Sequence, residues 1–240
     1  MATWAWVIDG QSVYCQDGLP HRHFIPTDST AIDHQSALAL NIDLSAGEFI
    51  SYRMLVSSLD IHLACQLSCA IQQIHHQNTH KYCSYCGTAF LTATSHTCPN
   101  CHHHSYPIIS PCVITAVIRP NPTTQKTQIL LAKHHRHTSI YSLIAGFVEM
   151  GETLEMAVCR EVAEEVGIKI NTPNYSGSQA WPYPSNLMVG FVARYHSGDI
   201  VLQADELADA RFFDIDNLPA IAPKGTIARK IIDKICSSDG

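Results

Sequence analysis

One segment, residues 146–168, constrains this chain more than any other part of it: GFVEMGETLEMAVCREVAEEVGI. Its spacing is G-x5-E-x7-R-E-U-x-E-E-x-G-U, where U is an aliphatic residue. Apolar residues recur every four positions and predict a helix with one buried stripe, formed by Leu154, Val158 and Val162. Thr153 suits the N-cap of that helix, and Gly167 suits the left-handed residue that ends it.

Three glutamates lie along one edge of the predicted helix, because Glu161, Glu164 and Glu165 stand at i, i+3 and i+4. Carboxylates this close repel one another unless a cation neutralises them, and hard oxygen ligands favour Mg2+ or Mn2+ over Zn2+. Such an ion can bridge the phosphates of a pyrophosphate and lower the pKa of a bound water. The alternative is a solvated acidic edge. The complete spacing and Arg160, which can pair with a neighbouring carboxylate, favour the metal site.

The segment resembles the Nudix box, the signature of hydrolases that cleave a nucleoside diphosphate linked to another group. The resemblance implies the Nudix fold. Strand and helix patterns after residue 107 also indicate an α+β arrangement, an α/β/α sandwich with a mixed sheet. We predict a small N-terminal α/β domain over residues 1–78, a zinc ribbon over 79–106 and the Nudix domain over 107–240. Within the first domain, residues 54–77 are predicted to form one helix.

Two C-x-x-C pairs lie in the middle of the chain, formed by Cys83, Cys86, Cys98 and Cys101. Each pair makes a tight knuckle that directs two sulfurs at one point, and four thiolates form a closed, structural Zn2+ site. The alternatives are free thiols or disulfides. His102, His103 and His104 follow directly and could compete as ligands.

Composition limits the location and the partners of the chain. Over 240 residues the net charge is −6, so no broad basic surface for nucleic acid is expected. The sequence starts without the pattern of a signal peptide and holds no run of about 18 apolar residues, so we expect a cytoplasmic protein without a membrane span. In the cytoplasm the ten cysteines would be reduced or metal-bound.

A second motif follows the box: SQAWPYPSNLM, which begins at Ser178. Its aromatic rings and prolines predict a stiff wall for a flat base, and two amides offer hydrogen bonds, those of Gln179 and Asn186. The alternative is a proline-rich connector that packs its Trp into the core. The segment resembles the SQPWPFPxS motif of the NADH pyrophosphatase subfamily, with Ala180 in place of Pro, Tyr183 in place of Phe and Asn186 in place of Ser.

The subfamily resemblance implies roles for individual residues. Glu161, Glu165, Glu206 and the Ala145 carbonyl match ligands of the catalytic metal, and Glu164 or Glu165 is the expected base. The matched substrate-binding positions are Arg53, Tyr106, Phe147, Gln179, Ala180, Trp181, Pro182, Tyr183, Pro184, Ser185, Asn186 and Ala228. The resemblance also implies a homodimer that needs Mg2+ or Mn2+ and carries one structural zinc per chain.

The sequence therefore predicts an enzyme that hydrolyses the pyrophosphate of NADH or NAD+ to nicotinamide mononucleotide and AMP, and that removes NAD caps from RNA. Two alternatives stay open. One is a Nudix hydrolase of other specificity, for ADP-ribose or a dinucleoside polyphosphate. The other is a non-catalytic, zinc-ribbon nucleic-acid-binding protein, in which a broken box would be expected.

Overall fold

The computed structural model describes residues 2–26, 34–36, 43–91, 96–135 and 139–238. The chain divides into two compact units. The first comprises Met1–Ile109 with Ala180–Asn186, and the second comprises Ser110–Gln179 with Leu187–Gly240. The finer domain boundaries at residues 78/79 and 106/107 stay a prediction. Within the described part of the chain, no helix combines the length and apolar content needed to cross a membrane.

The first unit contains a six-stranded sheet and two helices. Its elements are β1 (Ala2–Asp9), β2 (Ser12–Gln16), β3 (Leu19–Pro20), β4 (Arg22–Pro26), β5 (His34–Ser36), β6 (Glu48–Ser51), α1 (Tyr52–Leu55) and α2 (Ile61–Thr79). The strand order is β3-β2-β1-β4, with β5 parallel to β1 and β6 antiparallel to β2. Side chains alternate across β1, so Trp6 and Ile8 pack with α2, whereas Ala5 and Val7 face the other side.

The predicted single helix over residues 54–77 is wrong at its start. The chain forms the short helix α1, turns, and begins α2 at Ile61. Asp60 is the reason, because its carboxylate accepts hydrogen bonds from the backbone N–H groups of His62 (2.9 Å) and Leu63 (3.0 Å). In a continuous helix these amides would bond to carbonyls of the preceding turn. Here the carboxylate of the N-cap residue takes the place of those carbonyls, so the helix begins at this point.

The second unit is built around a seven-stranded sheet. Its elements are β7 (Ser110–Pro120), β8 (Thr127–His134), β9 (Ile144–Phe147), α3 (Leu154–Val166), β10 (Lys169–Ile170), β11 (Asn174–Trp181), β12 (Asn186–Ser197), β13 (Leu207–Asp214) and α4 (Ile227–Ser238). The order is β10-β12-β7-β8-β13, with β9 beside β7 and β11 beside β12.

A helix covers each face of this sheet. Successive residues of β7 and β8 point to opposite sides, as the strand period requires. Ile114 and Leu131 pack with α4, whereas Val117 and Leu130 pack with α3. The α/β/α sandwich with a mixed sheet, preceded by a separate N-terminal sheet domain, is therefore confirmed.

The predicted ends of α3 are also confirmed. Thr153 Oγ accepts a hydrogen bond from the Met156 amide at 3.2 Å. Gly167 closes the helix with a φ of 73°, in the left-handed region that side chains rarely adopt.

Candidate active site

Arg160 of α3 uses all five of its N–H donors, three to fix residues that precede the helix and two to bond carboxylates of the helix itself. Its Nε and Nη2 bond the two carboxylate oxygens of Glu152 at 2.7 and 2.9 Å, and Nη2 also bonds the Phe147 carbonyl at 2.8 Å. Its Nη1 bonds Glu161 at 2.8 Å and Glu164 at 3.0 Å. These bonds from Arg160 lower the pKa of Glu152 to about 2. The guanidinium therefore holds the loop, and it has no donor left for a substrate.

Only a glycine fits at position 146, because the Glu161 carboxylate lies very close to the backbone there. A Cβ at this position would lie 1.9 Å from the carboxyl carbon of Glu161, which is far inside van der Waals contact. The Glu161 carboxylate therefore lies directly against the backbone of β9. Ala145 is the neighbour of Gly146 on that strand and pairs with Ile114 of β7. The structure thus brings the predicted carbonyl ligand and the predicted carboxylate ligand to the same place.

Glu165 is the most unusual carboxylate of the unit. Its side chain is 2% exposed, and its Oε2 is buried without a hydrogen-bond partner. Burial, together with the charges of Glu161, Glu206 and Glu164, raises the pKa of Glu165 to about 8. Burial also raises the pKa of Glu161, although Arg160 opposes this. Such an arrangement costs free energy unless a cation or a proton neutralises it.

Glu206 and Phe147, which were also predicted for this site, lie near these residues. Glu206 is exposed on the turn before β13, and its charge reaches both Glu161 and Glu165. The backbone ties this turn to α3, because the Gln203 amide donates to the Glu165 carbonyl at 2.9 Å. Phe147 presents a ring that is 53% exposed.

These donors fit a hard divalent cation. The set consists of carboxylate oxygens, it includes one buried oxygen without a partner, and the Arg160 guanidinium beside it is already used. Glu161, Glu165 and Glu206 would hold the ion together with the Ala145 carbonyl. Arg160 would keep the helix in register with the loop.

The four predicted zinc ligands come together in the first unit. The sulfurs of Cys83, Cys86, Cys98 and Cys101 all lie within 4.8 Å of one another, with Cys83–Cys101 at 3.7 Å and Cys86–Cys98 at 3.5 Å. Four sulfurs arranged tetrahedrally at a Zn–S length of about 2.3 Å are about 3.8 Å apart, so the set fits zinc. No disulfide joins any of the cysteines. The cluster needs no ligand from His102, His103 or His104.

The motif that begins at Ser178 is anchored at several points. In the first unit, Trp181 and Tyr183 pack partly buried against the core that includes Tyr52 and α2. The Tyr183 oxygen accepts a hydrogen bond from the Arg53 amide at 2.7 Å, and Ser185 Oγ donates to the Ile108 carbonyl at 3.0 Å. The stiff wall expected from the sequence is thus fastened to the N-terminal unit.

Three predicted substrate-binding residues have side chains committed inside the protein. In the second unit, Gln179 Nε2 donates to the Gly225 carbonyl at 2.8 Å, and its Oε1 accepts from the Ile227 amide at 2.7 Å, at the start of α4. Ala228 is 4% exposed within the core. In the first unit, Asn186 Nδ2 donates to the Tyr183 carbonyl at 3.1 Å, and its side chain is buried. The interpretation of these two amides as free donors for a substrate finds no support in these contacts.

Comparison with known proteins identifies the family. The Nudix domain model matches residues 113–235, a segment that contains the carboxylates of α3. The chain is also 43% identical over 182 residues to the NAD-capped RNA hydrolase NudC of Escherichia fergusonii, across 74% of this chain and 68% of the relative. The chain belongs to the Nudix family.

Further relatives agree with this assignment. The NAD-capped RNA hydrolase NudC of Escherichia coli O9:H4 is likewise 43% identical over 182 residues, with the same coverage of both chains. A solved Nudix hydrolase structure from Nitrosomonas europaea superposes with a TM-score of 0.52 at 22% identity, over 66% of this chain and 91% of that one. At this identity the superposition shows the fold alone.

The structure places Cys112 of β7 near this Nudix site, a residue to which the sequence analysis gave no role there. Its thiol lies close enough to the site that, after burial, the charges of Glu161 and Glu165 contribute to raising its pKa to about 11. In the first unit, the hydroxyl of Tyr183 has partners that lie 130 and 132 residues away in the sequence.

Proposed function

We propose that this Nudix protein hydrolyses the pyrophosphate bond of NADH and NAD+ to nicotinamide mononucleotide and AMP, and that it removes NAD caps from the 5' ends of RNA. One observation carries the hydrolytic part: the buried, unpartnered Oε2 of Glu165 among three further carboxylates. The substrate class rests on the 43% identity to relatives named NAD-capped RNA hydrolases and on the motif that begins at Ser178.

Glu161, Glu165, Glu206 and the Ala145 carbonyl hold Mg2+ or Mn2+ in this proposal. When bound, such an ion neutralises the phosphates and acidifies a water. In the hydrolysis, a water adds to one phosphorus while the bridging P–O bond breaks, and Glu164 or Glu165 would accept the proton of that water. Arg160 and Gly146 keep the carboxylates in position, because one fixes the loop and the other gives Glu161 its space.

The residues of the first unit supply binding and stability. Arg53, Tyr106 and the segment Ala180–Asn186 contact the dinucleotide, and Phe147 of the second unit offers a further ring. Any contact with Ala228 uses its backbone, because the side chain is buried. One zinc per chain at the four cysteines stabilises the ribbon. We also propose that the active protein is a cytoplasmic homodimer.

Product analysis tests this function. Purified protein is incubated separately with NADH, NAD+, ADP-ribose and NAD-capped RNA, with and without Mn2+, and the products are separated by chromatography. Nicotinamide mononucleotide and AMP from NADH, and 5'-monophosphate RNA from capped RNA, are the expected products. Faster cleavage of ADP-ribose than of NADH would favour the alternative Nudix specificity. Failure to cleave any of the four, with zinc bound and the fold intact, would contradict the proposal.

A further inference from the structure

The short helix α1 receives its N-cap from a distant residue. Ser51 occupies the N-cap position, yet its side chain makes no capping hydrogen bond within α1. The phenol oxygen of Tyr183 instead accepts a hydrogen bond from the Arg53 amide at 2.7 Å and lies 3.0 Å from Ser51 Oγ. An N-cap oxygen normally bonds the second or third amide of a helix, and Arg53 is the second residue of α1. Tyr183 therefore provides this cap across 130 residues.

The capped residue carries an unneutralised charge. The Arg53 guanidinium lies 4.8 Å from the ring centre of Tyr183 and 5.8 Å from that of Trp181, and Arg53 is exposed. Among the residues that the structure describes, no carboxylate forms a salt bridge with Arg53. The rings therefore support the guanidinium without neutralising it, and an anionic group can still bind to it.

The backbone of Tyr183 is also held in place by hydrogen bonds. Asn186 Nδ2 donates to the Tyr183 carbonyl at 3.1 Å, and Gln72 of α2 donates to the Asn186 carbonyl at 3.4 Å. The Trp181 ring packs edge-on to Tyr52 at 5.9 Å. Hydrogen bonds thus hold Tyr183 at both its hydroxyl and its carbonyl. A shift of the loop would therefore shift α1 as well.

We propose that Tyr183 is a positioning residue, whose hydroxyl caps α1 and so holds the Arg53 guanidinium over the two loop rings, where it is available to an anionic group of the substrate. This inference rests on the proposed function, in which Arg53 contacts the dinucleotide; NADH and ADP-ribose both carry such anionic groups. The related motif has Phe at this position. This chain therefore adds the hydroxyl in the same loop in which Ala180 replaces a stiffening proline.

The variant Tyr183→Phe removes only the hydroxyl and is expected to keep the melting temperature. If Tyr183 positions Arg53, KM rises about fivefold for NADH and by the same factor for ADP-ribose, while kcat changes less than twofold. The Arg53 amide proton also exchanges with solvent about tenfold faster, because it loses its acceptor. Tyr175→Phe is the matched control. Tyr175 is exposed, and among the described residues its hydroxyl has one recorded hydrogen bond, to Ser178 Oγ at 3.4 Å, so its removal should leave both KM values unchanged.

A double-mutant cycle separates positioning from direct contact. In an Arg53→Ala background, Tyr183→Phe should add nothing to the rise in KM, because its effect passes through Arg53. Provided that the wild-type protein cleaves NADH, two outcomes would overturn this inference alone. One is an additive effect of the two substitutions on KM, and the other is an unchanged KM in the Tyr183→Phe single variant. A wild-type protein that cleaves no NADH would overturn the proposed function, and this inference with it.

Discussion

The chain has two sets of side chains proposed as cation ligands, and the two sets differ in the absence of any ion. In the first unit, four thiols lie close together, and hydrogen bonds between them span 3.5 to 3.7 Å. In the second unit, carboxylates repel one another, and Glu165 is left with a buried oxygen that has no partner. Thiols and thiolates can share hydrogen bonds with one another, whereas a buried carboxylate among like charges cannot be satisfied in this way.

This difference assigns a role to each set. A closed group of four soft ligands suits an ion that stays bound and supports the fold. An open group of hard oxygens, under electrostatic strain when empty, suits an ion that exchanges and meets substrate. Loss of the first set should therefore appear as lost stability, and loss of the second as lost turnover.

The largest effect is expected from Glu165→Gln. The substitution removes a metal-held charge or the base and should lower kcat on NADH by about a hundredfold or more, with the fold intact. Steady-state kinetics with Mg2+ and with Mn2+, beside circular dichroism, check this. A folded variant with near-normal turnover would remove Glu165 from the mechanism.

The next effect is that of Gly146→Ala. The added Cβ meets the Glu161 carboxyl carbon at 1.9 Å, so the carboxylate or β9 must move. We expect kcat to fall about tenfold or more and stability to fall by about 1–3 kcal/mol. Kinetics and denaturant unfolding measure the two losses. The matched control is Gly87→Ala, where a Cβ meets nothing within 4 Å although φ is 75°, and turnover should hold there.

In the thiol set, Cys98→Ser should remove about one Zn2+ per chain and lower the melting temperature by about 5 °C or more. Mn2+ binding at the carboxylates should persist, because those ligands lie in the other unit. Metal analysis and a melting curve test this. Zinc-free protein of full stability would favour free thiols or disulfides in place of a zinc site.

The smallest effect concerns pH. The pKa of Glu165 is raised from its usual 4.5 to about 8, so metal-free folded protein holds a proton that the unfolded chain has lost between these values. The free energy of unfolding that depends on Glu165 is therefore fully present below about pH 4.5 and is lost as the pH rises to about 8. Mg2+ binding needs the ionised form, so the rise in melting temperature with Mg2+ should increase from pH 6 to pH 9. Glu165→Gln should lack this trend, and an equal trend in that variant would contradict the assignment.

Local patterns made the carboxylate site predictable. The spacing of α3, its cap at Thr153 and its end at Gly167 all depend on residues within a few turns. The cluster of four cysteines was predictable for the same reason, because each C-x-x-C pair is a local pattern. The start of α2 was missed although Asp60 carried a capping signal, because the apolar period ran on through the turn.

Long-range contacts made the loop harder to predict. Gln179 and Asn186 looked like free amides, and only the fold shows that they bond to the start of α4 and to the Tyr183 carbonyl. The cap of α1 by Tyr183 spans 130 residues, and no spacing rule covers such a distance. The N-terminal sheet was equally hard to anticipate, because its strands are short and lack a motif.

The central claim is that the carboxylates of the second unit, and not the thiols of the first, hold the ion that hydrolysis needs. Mn2+ binding followed by electron paramagnetic resonance at pH 8 tests it most directly, with zinc content measured on the same samples. Wild-type protein should bind Mn2+, and Glu165→Gln should bind it at least about tenfold more weakly while keeping its zinc. Equal Mn2+ affinity in the two proteins would contradict the claim.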